Sequence, residues 1–397
     1  MLIQEAKTDK KNTTPAVADP AQGRTTTGGP PEAEAGAILT IDCQAIVQNW
    51  RTLSSHAAPA ECGAVVKADA YGCGLEPVVK ALADAGCRTF FVAHLDEARR
   101  LRSTVHDAII YVTNGIPPGS AAAFADISAQ PVIGNLAELS EWDAYRSTSQ
   151  WHGGAALHFD TGMNRLGLAL EDAPALAARA KMPNHGFTLI MSHFACSDVP
   201  DHPLNNAQTF ALREIRGMFR GIPASMANSA GIYLGASAHF DLVRPGIALY
   251  GGNPTPGLVN HMKPVVDLKA RIVQIREVEK SATVGYDATW TAKRATKLAI
   301  ASAGYADGYP RPMGGSDKYT GGEALIADRR CPVVGRVSMD LIAVDITDVP
   351  GPPPRRGDFM TLIGGNIDID QVGQWSRTIS YDVLTRLGRR YHRVWKS

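Results

Sequence analysis

Ala64-Val65-Val66-Lys67-Ala68-Asp69-Ala70-Tyr71-Gly72-Cys73-Gly74 decides how the rest of the chain is read. The short Val/Ala run has the length and content of a buried parallel strand, and it stops at a charge and then at a turn. A buried strand end is a costly place for an ammonium unless its charge is used or removed. One standard use is a Schiff base, in which the amine condenses with a carbonyl and gives up its full charge. The plainer alternative is a lysine whose stem leaves the strand and snorkels to water.

Outward from Lys67 one unit recurs: a short apolar strand, a polar corner, and an Ala/Leu-rich helical stretch. Strands are expected to end near Lys67, Ala93, Thr113, Gly134, Asp160, His193, Asn228 and Tyr250, with helices over 77–86, 96–105 and 172–181 between them. Eight strands at such intervals suit an α/β fold of the (β/α)8 TIM-like barrel type, in which reactive residues sit where strands end. A doubly wound open sheet is the alternative. Ahead of the first unit, 38–41 is apolar and extended, and Asp42 is placed to cap a helix running through Ile46 and Leu53.

The rhythm changes after Pro264. Strands are expected over 265–278, 297–302, 323–327, 333–337, 341–346 and 359–363, separated by Gly/Pro/Asp turns, with an exposed loop at Gly351-Pro352-Pro353-Pro354. The division that follows is a polar, disordered extension over 1–35, a barrel over 36–264, and a C-terminal mostly β domain over 265–397.

Composition narrows the functional classes. A chain of 397 residues, 45% hydrophobic and 20% charged, can bury a sizeable core. A net charge of +1, with no basic run interleaved with aromatics, argues against nucleic acid. Cys43, Cys62, Cys73, Cys87, Cys196 and Cys331 form no CxxC pair, which points to reduced thiols in the cytoplasm and to neither disulfides nor a metal site. No run reaches transmembrane length and the N-terminus has no signal-peptide core, so no membrane role is expected.

Eight segments stand in one order: 64–74 (AVVKADAYGCG), 158–167 (HFDTGMNRLG), 192–195 (SHFA), 227–230 (ANSA), 243–251 (VRPGIALYG), 284–288 (VGYDA), 304–308 (GYADG) and 335–340 (GRVSMD). Together they resemble the alanine racemase family, from about Ile38 to the C-terminus. The resemblance implies an isomerase that uses pyridoxal 5′-phosphate (PLP), a barrel joined to a β domain, and a head-to-tail homodimer with shared active sites. It implies that Lys67 carries the cofactor and is one of two catalytic bases. Tyr286 matches the other base and would serve the opposite face of the substrate.

The remaining matches assign a cradle. Arg244 would face the pyridine nitrogen; being donor-only and normally protonated, it would not support a protonated ring, which limits side reactions. His193 matches the residue bonded to that arginine. Tyr71, Asn228, Ser229, Gly246, Ile247 and Tyr381 match the phosphate site, where hydroxyls and backbone N–H groups are needed. Arg165 would address the substrate carboxylate, and Met339 and Tyr305 would narrow the pocket to a methyl side chain.

Two positions depart from the family. A lysine is usual seven residues before the arginine, carbamylated so that its charge orients the arginine, and His158 stands there instead. A histidine cannot carry that group, so Arg165 needs another orienter, a chloride or a neighbouring side chain. Cys73 stands where a histidine is usual. The alternatives are a broad-specificity amino-acid racemase, a barrel-type PLP decarboxylase, and a non-catalytic PLP-binding protein. Such decarboxylases use Glu-Pro-Gly-Arg, where this chain has Val243-Arg244-Pro245-Gly246, and the non-catalytic proteins lack the β domain. The resemblance leaves open whether D-alanine is made for the cell wall or alanine is catabolised.

Overall fold

The computed structural model of the protein describes residues 25–397. Residues 1–24 of the expected extension lie outside the described residues.

Eight parallel strand positions form the barrel among the described residues. The first is split at Gly63 into Glu61–Cys62 and Ala64–Val65. Thr89–Val92, Ile109–Val112, Gln130–Ile133, Ala155–His158 and Phe187–Met191 follow in order, each hydrogen-bonded to the one before. Ala224–Ser225 pairs with the sixth, and Leu242–Val243 returns to Glu61–Cys62, so that the ring is nearly closed. These strands read as unbroken apolar runs because helices cover their outer face and the barrel core their inner one, so every residue of Thr89–Val92 and Ala155–His158 is buried. Phe91, Tyr111, Val132, Ala156, Leu189, Met191 and Leu242 pack together on successive strands and fill the interior. The helices fall near their expected places, at Leu75–Asp84, Leu95–Thr104 and Ala173–Arg179.

One strand end is misplaced in the sequence reading. The eighth strand stops at Val243, directly before Arg244, and Ile247–Tyr250 is a 3-10 turn ended by left-handed Gly251. The run to Tyr250 is apolar because that turn is fully buried, not because it is extended.

The second body is, among the described residues, a nine-stranded sheet. Its axis is Val266–Val278, whose first half pairs with Ala37–Asp42 and Phe359–Ile363 and whose second half pairs with Thr296–Ala301. Glu323–Ile326 and Arg329–Pro332 extend it on one side, and Ile342–Asp345 pairs with Thr296–Ala301. The strand expected at 333–337 is Arg329–Pro332 instead, an edge strand whose charged residues hide the pattern.

The N-terminal residues also differ from expectation. Ala37–Asp42 is a strand of this sheet and not of the barrel, lying parallel to His392–Lys396, while Asp42 caps the helix Cys43–Ala57 through Ala45 N–H as expected. Thr25–Gly28, placed in a disordered extension by its polarity, is an antiparallel strand against His392–Lys396. It is an exposed edge held by ladder hydrogen bonds, which side-chain pattern does not reveal. The chain thus enters the β sheet, leaves to wind the barrel, and returns.

Candidate active site

Most of the expected barrel residues meet at one place. A cavity of about 670 Å³ opens at the C-terminal ends of the strands, lined by Lys67, Tyr71, Arg165, His193, Asn228, Ser229, Arg244, Gly246, Ile247 and Tyr381. Tyr286, Tyr305 and Met339 do not line it. They lie on the β domain and are exposed, at 69%, 43% and 53%.

Lys67 follows the first strand and starts a short turn of unusual hand. Ala68, Asp69, Ala70 and Tyr71 have φ of 54°, 55°, 54° and 54°. For residues with a Cβ this hand costs roughly 1–2 kcal/mol each, so the turn persists only where its surroundings impose it. The surroundings are explicit. Glu97 Oε1 accepts from Ala68 N–H at 2.5 Å, Asp69 accepts from Leu75 N–H and pairs with Arg100, and Arg393 donates to the Gly72 carbonyl. Cys73 is fully buried, and its carbonyl accepts from the Trp395 indole. The turn places Lys67 and Tyr71 on one cavity wall. Lys67 reaches the cavity's solvent, yet protein surrounds most of it; that burial, with the Arg165 charge beside it, lowers its pKa, while Glu97 opposes the shift.

Arg244 is 4% exposed and has no carboxylate partner among the described residues. It donates to the Ser225 hydroxyl, to the Ser192 carbonyl at 2.6 Å and to the Met226 carbonyl at 3.3 Å. Burial lowers its pKa to about 9, which still leaves it charged at neutral pH. His193 Nδ1 lies 3.3 Å from the same guanidinium and must accept, since arginine only donates. Burial, and then the charges of Arg244 and Arg165, keep His193 neutral.

The hydroxyls gather around the start of the 3-10 turn. Ser229 Oγ accepts from the N–H groups of Gly246 at 2.9 Å and Ala248 at 3.2 Å. Tyr71 stacks on Tyr250 with ring centroids 4.6 Å apart, and burial raises its phenol so that it stays a donor. A Cβ on Gly246 would lie 2.3 Å from the Tyr71 hydroxyl, so glycine is required there for the two to approach.

His158 ends the fifth strand and lines the cavity. Arg165 makes no hydrogen bond or ion pair with another side chain among the described residues. Its loop is fixed nonetheless: Asp160 Oδ1 accepts from Gly162, Met163 and Asn164 N–H at 2.9, 2.9 and 3.1 Å.

On the β domain, Tyr305 and Met339 belong together. Tyr305 N–H donates to the Ser338 carbonyl and Ala306 N–H to the Met339 carbonyl, and a Cβ on Gly304 would lie 2.3 Å from that carbonyl. Tyr286 opens a separate 3-10 turn steadied by an Arg336–Asp287 ion pair.

Two residues escaped the sequence reading. Asn114, just past the third strand, lines the cavity and carried the same polar-after-strand signal as His193 and Asn228. Glu97 carried no such signal, since a glutamate in a first helical turn ordinarily faces water.

A nearly closed parallel barrel with a strand-end lysine, a buried arginine and a hydroxyl cluster defines a barrel enzyme of the kind that holds an aldehyde cofactor. The chain belongs to the alanine racemase family: its models match as "Alanine racemase, N-terminal domain" over 41–254 and "Alanine racemase, C-terminal domain" over 265–395. An alanine racemase of a Methylobacterium species (strain 4-46) is 51% identical over 360 residues, covering 91% of this chain and 98% of that protein. The crystal structure of alanine racemase from Bartonella henselae, with covalently bound pyridoxal phosphate, aligns with TM-score 0.85 at 37% identity over 91% of this chain and 99% of that one. The biosynthetic enzyme from Pseudomonas aeruginosa aligns with TM-score 0.82 at 33% identity, covering 91% and 100%.

Proposed function

We propose that the protein is a PLP-dependent alanine racemase that interconverts L- and D-alanine by a two-base route, as a homodimer with shared sites. The observation that carries this reading is the single cavity in which Lys67, Arg244 and the hydroxyl cluster meet.

The residues fit the cofactor. A phosphate needs donors with little net charge, and Tyr71, Ser229, Tyr381 and the Ile247 backbone supply that set, with Asn228 alongside and Gly246, its N–H held by Ser229 Oγ, leaving room for the approach. The close approach of Gly246 to Tyr71 leaves that rim free of side chain. When bound, PLP supplies the electron delocalisation that makes the α-proton of an amino acid removable.

This chain's own residues do the rest. Lys67 anchors the cofactor, and its Nζ carries a proton to or from one side of Cα. Its lowered pKa, from burial and Arg165, raises the share of free amine. Tyr286 Oη, contributed by the second copy, serves the other side. Arg244 would donate to the ring of the bound cofactor, while His193 accepts from Arg244 and holds its orientation. Arg165 receives the substrate carboxylate. Met339 and Tyr305 of the second copy crowd the substrate, which favours a methyl side chain.

The six cysteines are free, five of them buried, which supports a cytoplasmic location. Among the described residues no helix is long and apolar enough to cross a membrane.

The test offers each L-amino acid in turn to purified protein and measures the D-enantiomer. Alanine turns over, with serine a poor second, and borohydride fixes the cofactor to the peptide containing Lys67. Comparable turnover of lysine or arginine, or a label on another lysine, overturns the reading.

A further inference from the structure

Glu97 is 7% exposed and forms no salt bridge among the described residues, although its charge acts on Lys67. It lies in the first turn of the helix Leu95–Thr104 and is held by three backbone N–H groups. Oε2 accepts from Ala93 at 2.8 Å and His94 at 3.2 Å, and Oε1 reaches across to Ala68 at 2.5 Å. One carboxylate therefore ties the end of the second barrel strand to the residue that follows Lys67. That residue is the first of the four left-handed ones, and the last of them is Tyr71.

We propose that Glu97 is the positioning residue of this site: by pinning the left-handed turn it sets the separation between Lys67 at one end and the Tyr71 hydroxyl at the other. The inference rests on the PLP reading of the cavity. Proton transfer demands placement of the amine to well under an ångström, and the backbone of the turn is intrinsically unfavourable. A right-handed turn there would swing Tyr71 away from Gly246 and Ser229. Glu97 does this from outside the cavity, whose lining does not include it. It also faces Lys67 as a negative charge, opposite Arg165 from the loop after the fifth strand, with neutral His193 beyond.

Two variants separate reach from charge. Glu97→Asp keeps the charge and the helix contacts but falls one methylene short of Ala68. Glu97→Gln keeps the reach but brings an amide donor against a backbone donor and removes the charge. Both are expected to lower kcat for alanine by about tenfold or more with KM changed less than about threefold, since the loss lies in the proton-transfer geometry. A readout that needs no bound cofactor accompanies them: trinitrophenylation of Lys67 in cofactor-free full-length protein, followed against pH. The carboxylate favours the ammonium, so Glu97→Gln shifts the labelling midpoint to lower pH and Glu97→Asp leaves it near wild type.

Folded variants with wild-type kcat overturn the positioning role, as does failure of both to fold, which would make Glu97 a core residue only. A Glu97→Gln midpoint unmoved from wild type also overturns it. Wild-type protein that takes up no PLP overturns the reading of the site instead, so the two failures are distinct.

Discussion

The barrel mouth and the β-domain face handle their functional residues in opposite ways. At the mouth, Arg244, Ser229 and Tyr71 are 4%, 2% and 6% exposed, and each is held by neighbours from other elements. On the β domain, Tyr286 and Met339 stand out at 69% and 53%, on turns whose backbone is firmly fixed. A loose tip would explain exposure by mobility; a turn with a fixed backbone that presents an aromatic and a thioether to water is what the proposed shared site calls for. The first region is a cavity shaped for a small molecule. The second is complete only as a surface.

The largest effect would come from breaking both halves at once. Lys67→Ala and Tyr286→Phe homodimers should each lose racemisation by about a thousandfold or more, as expected for removal of one proton carrier. Mixed under subunit exchange, they should regain activity, because each heterodimer has one site with both residues intact and one with neither. Verified heterodimers that stay inactive would put both bases in the same chain and undo the comparison.

Stability should split along the same line. Arg244→Glu sets a carboxylate against the Ser192 and Met226 carbonyls in a buried position, so it is expected to destabilise the fold by about 3–5 kcal/mol. Tyr286→Phe removes a hydroxyl from an exposed ring and should change stability by less than about 0.5 kcal/mol. Urea unfolding of the two variants measures both. An Arg244→Glu protein as stable as wild type would show that the mouth tolerates a reversed charge.

The cradle can be probed without touching a charge. Gly246→Ala drives a methyl toward the Tyr71 hydroxyl, and Tyr71, stacked on Tyr250, has little room to yield. PLP affinity should fall by about tenfold, equivalent to about 1.4 kcal/mol. Titrating the visible absorbance of the bound cofactor measures it. Unchanged affinity would mean that the phosphate does not depend on this approach.

How much of this was visible in the sequence depended on range. The barrel strands showed themselves because buried parallel strands are apolar throughout and stop at a polar residue, which also marked Lys67, His193 and Asn228. Sheet membership did not show. Ala37–Asp42 reads as a strand from its own residues, but nothing local says that its neighbours are Val266–Val278 and His392–Lys396. Tyr250 was misjudged because burial and extension look alike in a four-residue run. The ordered motifs identified Tyr286, Tyr305 and Met339, yet their separation from the cavity is a fact of three dimensions. Glu97 was invisible because its distant partner is a backbone N–H in the turn after another strand.

The remaining expected effect concerns acid, and it sharpens the contrast between the regions. His158 is 9% exposed, and burial, then the charges of Arg244 and Arg165, push its pKa down to about 4, with Asp160 opposing. In the unfolded chain a histidine titrates near 6.5. Between these values the unfolded state binds a proton that the folded state does not. The contribution is therefore fully present above about pH 6.5 and is lost as pH falls toward 4, by up to about 3 kcal/mol. His193 acts in the same direction. Asp307 of the β domain acts the other way: burial raises its carboxyl, so protonation in acid favours the folded state there. Urea midpoints measured from pH 7.5 to 4.5 should fall for wild type and fall less steeply for His158→Asn, which cannot titrate. Parallel curves would show that His158 is protonated as easily in the folded protein as in the unfolded one, and that the barrel mouth is wetter than its packing indicates.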